Sequence, residues 1–107
     1  MKPIIRLGDS LQRLRTASAG IRYDASHELN SVQCGDSPRD FKPMSDVGPG
    51  TMEIRVHREN EFRVFYVARF EEAVYVLHCF AKKSQTTPKA DIERAKSDTL
   101  RCLKQGD

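Results

Sequence analysis

Residues 61–83, EFRVFYVARFEEAVYVLHCFAKK, restrict the fold more than any other part of the chain. Phe62, Val64, Tyr66, Ala68 and Phe70 alternate with Arg63, Phe65, Val67 and Arg69, and after Glu71-Glu72 an apolar run resumes at Ala73 and continues to Phe80. β-Branched and aromatic residues in such runs suit a pleated, half-buried surface. The pattern predicts two antiparallel strands, 61–70 and 73–81, joined by a tight turn. The second run is nearly continuous in apolar residues, as expected of a strand covered on both faces. Arg63 and Arg69 fall on one face of the first strand. An isolated buried guanidinium is costly, so that face is expected to be partly wet.

The elements around this hairpin follow from shorter patterns. Residues 51–58, TMEIRVHR, alternate again, with Met52, Ile54 and Val56 on one side and Glu53, Arg55 and His57 on the other. With 61–70 and 73–81 they make a three-stranded antiparallel meander, entered through a turn at Asn60. The short run 3–7, PIIRL, is placed at a sheet edge, because Pro3 at its start removes only one amide. Leu11 and Leu14 after the capping candidates Asp9 and Ser10 give one helix, and Ile21, Ala25, Leu29 and Val32, closed by Gly35, give a second. Residues 35–50, rich in Gly, Pro, Asp and Ser, read as a long irregular loop, functional or simply connecting, pinned by Phe41 and Met44. Thr87 and Pro88 suit the N-cap and first turn of a last helix, whose inward side is Ile92, Ala95, Thr99, Cys102 and Leu103. The expected class is α+β: an N-terminal helical hairpin packed on an antiparallel meander of three to four strands, with a C-terminal helix.

A chain of 107 residues can bury one modest core, so residues 1–107 are read as a single domain. Eighteen Lys and Arg against fifteen Asp and Glu leave a net charge of +3, too little by itself to argue for nucleic acid. The grouping of cations on a surface matters more. Cys34, Cys79 and Cys102 are widely spaced and show neither a disulfide framework nor zinc spacing. No apolar run has the length of a signal peptide or membrane span, and the expected location is cytoplasmic. No metal or small-molecule cofactor is expected, and no hydrolase elbow, phosphate loop or paired glycosidase carboxylates are visible.

The cations carry the remaining information. Arg55 and His57 share one face of the first meander strand, Arg63 and Arg69 one face of the next, and Lys82 and Lys83 stand at the exit of the third. If these faces coincide, they form a cluster able to hold phosphate and to stabilise the added charge of a phosphoryl transition state. The alternative is ordinary surface charge paired with Glu53, Glu59, Glu61, Glu71 and Glu72. His78, inside an apolar strand, reads as a hydrogen-bonded core histidine. His57 is the better acid–base candidate, because imidazole titrates near neutrality.

The segments LGDS (7–10), VQCG (32–35), FKPMSDVGPGTMEIRV (41–56) and FRVFYVARFEEAVYVLHCFAKKSQTTPKADIERAK (62–96) resemble, in order and spacing, the phage-derived HigB-type branch of the RelE-like toxins. The resemblance covers nearly the whole chain and is most specific from Met52 to Ala95. It implies a RelE-like fold, a metal-independent endoribonuclease that cuts mRNA on the ribosome, and a cognate helix-turn-helix antitoxin of HigA-like type. It also implies that Arg55, Arg63 and the pair Lys82 and Lys83 are the functional cations, with Arg55, Arg63 and Lys83 acting at the scissile phosphate. Lys82 and, from outside the family pattern, Arg58 and Arg69 are taken as RNA-binding candidates. The chain departs from that pattern in one respect: its last helix holds neither Tyr nor His, which leaves His57 or an arginine-based mechanism to serve. Two other readings compete: a RelE-like domain that binds RNA or antitoxin without cleaving, and a phage accessory protein.

Overall fold

The computed structural model describes residues 2–58, 61–82 and 89–106, with side chains through residue 97. In chain order these form β1 (Ile4–Arg6), α1 (Ser10–Arg15), α2 (Ala19–Gln33), β2 (Phe41–Pro43), β3 (Thr51–His57), β4 (Glu61–Val67), β5 (Val74–Lys82) and α3 (Lys89–Gly106). The strands make one five-stranded mixed sheet in the order β1-β5-β4-β3-β2. β1 lies parallel to β5, and the other neighbours are antiparallel.

The expected meander is present, with a strand added at each edge. The region read as a structureless loop contains β2, whose Phe41, Lys42 and Pro43 pair with Ile54, Glu53 and Met52. Pro43 is tolerated there because β2 is an edge strand. β4 stops at Val67, short of the expected residue 70, and the connection to β5 is correspondingly longer than a tight turn. Phe41 does not pin this region: it is 39% exposed, whereas Met44 and Val47 are buried. Thr87, Pro88 and the Asn60 turn lie outside the described residues, as do the side chains of Thr99, Cys102 and Leu103.

α2 shows how the local sequence sets a boundary. The Ser18 hydroxyl accepts from the Ile21 amide at 3.3 Å, an N-cap. At the other end Gly35 adopts φ +89°, and the amides of Gly35 and Asp36 donate to the carbonyls of Val32 and Ser31. That paired closure is a Schellman motif, which favours glycine at the left-handed position. Between these ends Ile21, Ala25, Leu29 and Val32 form a buried stripe.

The stripe, with Leu14 of α1, covers one face of the sheet, against Ile54, Val56, Phe62, Val64, Tyr66, Val74, Val76 and Cys79. The opposite face holds Phe65, Val67, Tyr75, Leu77 and Phe80, covered by Leu7, Met44, Val47 and, from α3, Ala95. Between the pairs Phe65↔His78 and Tyr66↔Val76, β5 carries one extra residue, a bulge. The bulge shifts the alternation of β5, so that Leu77 and His78 both serve the α3 side. His78 is 1% exposed and its Nε2 lies 2.6 Å from Asp91 Oδ1 of α3, the core histidine that the sequence suggests.

Candidate functional site

On the α3 side, the β3–β4 end of the sheet is polar. Arg55 and Arg63 are directly opposite one another in the register, and the next facing pair is His57 and Glu61. Glu61 in turn pairs with Lys82 on β5, so His57, Glu61 and Lys82 form one row across three strands. Strand register thus brings Arg55, His57, Arg63 and Lys82 to one face, the coincidence that the sequence reading left conditional.

The carboxylates among them are what the sequence reading left as background. Glu53, one pleat before Arg55, is fully buried. Its Oε1 accepts from Arg55 Nε at 3.2 Å and lies 3.9 Å from Arg63 Nε. Its Oε2 has no hydrogen-bond partner among the described residues. Arg63 is itself 6% exposed and donates to Glu61 Oε1 at 3.1 Å. The expectation of a wet face at Arg63 is therefore wrong. The guanidinium is buried because two carboxylates, Glu53 and Glu61, surround it. Removing Arg63 would leave Glu53 as a buried charge held by Arg55 alone, so Arg63 is structural whatever else it does.

His57 is half exposed and clamped. Its Nδ1 lies 2.7 Å from Glu61 Oε2, and its Nε2 meets the carboxylate of Asp40. The hydrogen bonds to Asp40 and then Glu61 raise its pKa above the usual imidazole value, and the bond to His57 holds Glu61 below the usual carboxylate range. A histidine so placed is biased toward the protonated form, which suits a proton donor better than a base. Asp40 sits just before β2, where its carbonyl accepts the Arg55 amide at 2.9 Å. A cleft of about 420 Å³ opens beside it, lined by Asp24, Glu28, Arg39, Asp40, Arg55, Val56, His57 and Arg58.

The remaining candidates scatter. Arg58 borders the cleft but turns to α2, where its Nε bonds Asp24 Oδ2 at 2.8 Å. Arg69 lies past the end of β4, with its guanidinium 5.0 Å from the centre of the Phe70 ring and its side chain against Gly50 at the start of β3. It does not join Arg63, because the strand that would have aligned them ends first. Lys83 lies outside the described residues. Asp40 was missed, and no local pattern marks it. Glu61 was counted only as a pairing surface charge, although it stands opposite His57 in the register.

Among the described residues, no group of three or more His, Cys, Asp or Glu side chains has the arrangement of a metal site, and no helix is long and apolar enough to cross a membrane. The family described as Phage derived protein Gp49-like (DUF891) matches residues 12–99. No curated protein matches the chain.

Proposed function

The chain belongs to the phage-derived Gp49-like family, a family of RelE/HigB-like toxin type, and on that premise we propose that it is the toxin of a toxin–antitoxin pair, cleaving mRNA on the ribosome. The observation that carries this reading is the row geometry. Arg55 and Arg63 face each other across β3 and β4, with His57, Glu61 and Lys82 in the adjacent row, and Arg55 and His57 line an open cleft.

In this reading the ribose 2′-hydroxyl gives its proton to solvent water and attacks the adjacent phosphorus, and the bond to the 5′-oxygen of the next nucleotide breaks. The products are a 2′,3′-cyclic phosphate and a free 5′-hydroxyl. Arg55 binds the phosphate oxygens and offsets the charge gained in the transition state, backed by Arg63 from the neighbouring strand. Protonated His57 delivers its proton to the departing 5′-oxygen. Lys82 lies in the row where it attracts the RNA backbone. The cognate antitoxin, of helix-turn-helix type, would neutralise the protein by binding it.

The charge balance of the site favours a second reading. Arg55, His57 and Arg63 each face a carboxylate, as a domain that only binds RNA or its antitoxin would allow. Inducing the protein alone in a bacterium, then following growth and mRNA length, separates the two. The enzyme reading expects growth arrest with shortened mRNA, and a loss of cleavage of about 10²–10⁴-fold in His57→Gln while the variant stays folded. Intact mRNA during induction of the wild type would leave only the binding reading. Arg63→Ala is a poor probe here, because loss of its buried ion pairs would mimic loss of chemistry.

A further inference from the structure

We infer that the Asp40 carboxylate occupies a binding slot for an RNA phosphodiester, formed by His57 Nε2 and the outer guanidinium nitrogen of Arg55, and that RNA enters by displacing it. The inference rests on the reading of the protein as RNA-binding and identifies where the phosphate goes.

Asp40 is held from both sides. Its carbonyl takes the Arg55 amide at 2.9 Å, fixing the backbone to the edge of β3. The residue before it is latched to α2, where Glu28 accepts from the Arg39 amide and from Arg39 Nε, each at 2.9 Å. With the backbone so placed, the Asp40 side chain meets His57 Nε2 and lies 3.9 Å from Arg55 Nη1. A carboxylate and a phosphodiester both present anionic oxygens, and the same N–H donors serve either.

The neighbouring charges leave this slot the natural anion position. Asp24 is bonded to Arg58 and Glu28 to Arg39, so two of the cleft's carboxylates already have cationic partners. Arg55 holds Glu53 through Nε, which leaves Nη1 as the nitrogen 3.9 Å from Asp40 Oδ1. His57 holds Glu61 through Nδ1, which leaves Nε2 as the nitrogen facing the cleft. The Asp40 side chain is 40% exposed, and an ion pair that open to water is weak enough to be exchanged. The free protein is thus self-neutralised at the slot.

The test is binding of a short 2′-O-methyl RNA, which cannot be cleaved, to the full chain at fixed salt. Asp40→Asn should tighten binding by about three- to fivefold, the worth of one exposed ion pair removed from competition. Asp46→Asn makes the same change of net charge away from the slot and should tighten it by clearly less. Equal tightening by both variants, or weaker binding by Asp40→Asn, overturns the inference. Should Asp40→Asn fold poorly, the wild type still decides: RNA must shift the His57 ring resonances on titration, and unmoved His57 signals overturn it. If induction leaves mRNA intact while Asp40→Asn binds RNA more tightly, the enzyme reading falls and the slot stands. If mRNA is cleaved but Asp40→Asn behaves as Asp46→Asn, the slot falls and the enzyme reading stands.

Discussion

The two faces of the sheet are held in different ways. Under α1 and α2 the contact with the sheet is mainly apolar, from Leu14, Ile21, Ala25, Leu29 and Val32 onto Ile54, Val64, Val76 and their neighbours. On the α3 side, Thr51, Glu53, Arg63 and His78 are buried among Phe65, Leu77 and Phe80. The first face is non-directional: any apolar side chains of about the right volume would fill it. The second depends on directed pairs, each of which is costly if one partner is lost. A buried charge network beside an exposed one also explains why the candidate site lies where it does. Glu53, Arg63 and Arg55 form its inner layer, and Asp40, His57 and Glu61 its outer.

The comparison can be broken most directly at Arg63. Arg63→Ala should lower stability by about 3–5 kcal/mol in urea unfolding, since Glu53 is left buried with one cation fewer. Adding Glu53→Gln should recover much of that loss, because the uncompensated charge goes with it. A loss below about 1 kcal/mol, or no recovery, would show that the pair is solvated and that the two faces do not differ in kind. Leu29→Ala, on the apolar face, should cost about 2–5 kcal/mol, with no single second substitution able to restore it by charge. Rescue by a polar change nearby would blur the distinction.

The smallest effect is at His57. Its folded-state pKa is raised, so its contribution is complete below the unfolded imidazole value and fades as pH rises through the raised one. Stability should therefore decline slightly from mildly acid to alkaline pH, by less than about 1 kcal/mol because the group is half exposed. The decline should vanish in His57→Gln. A slope of opposite sign would mean that His57 is neutral in the folded protein and the outer layer of charge is not formed.

Much of this was legible in the chain. The stripe from Ile21 to Val32 and its closure at Gly35 read directly from helical spacing, and the meander from alternation. Arg55 and His57 were brought to one face by the same period-two rule, and strand register added Arg63. What failed had separate causes. The exposure of Arg63 was misjudged because Glu53 and Glu61 were counted as solvated neighbours. Arg69 was added to the cluster because the strand was drawn three residues too long. β2 was hidden because three residues of an edge strand in a Gly- and Pro-rich segment carry almost no periodic signal.

The sequence alone determined which residues alternate, where the long helix begins and ends, and that guanidinium and imidazole share a sheet face, because these depend on local dihedral periods. Only the tertiary structure decided that Glu53 lies buried against Arg55 and Arg63 and that Asp40, seventeen residues before His57, closes over it. Those contacts are set by strand register and by the latch between Glu28 and Arg39. A one-residue slip in either would turn the same side chains away, and no local pattern fixes such long-range alignment.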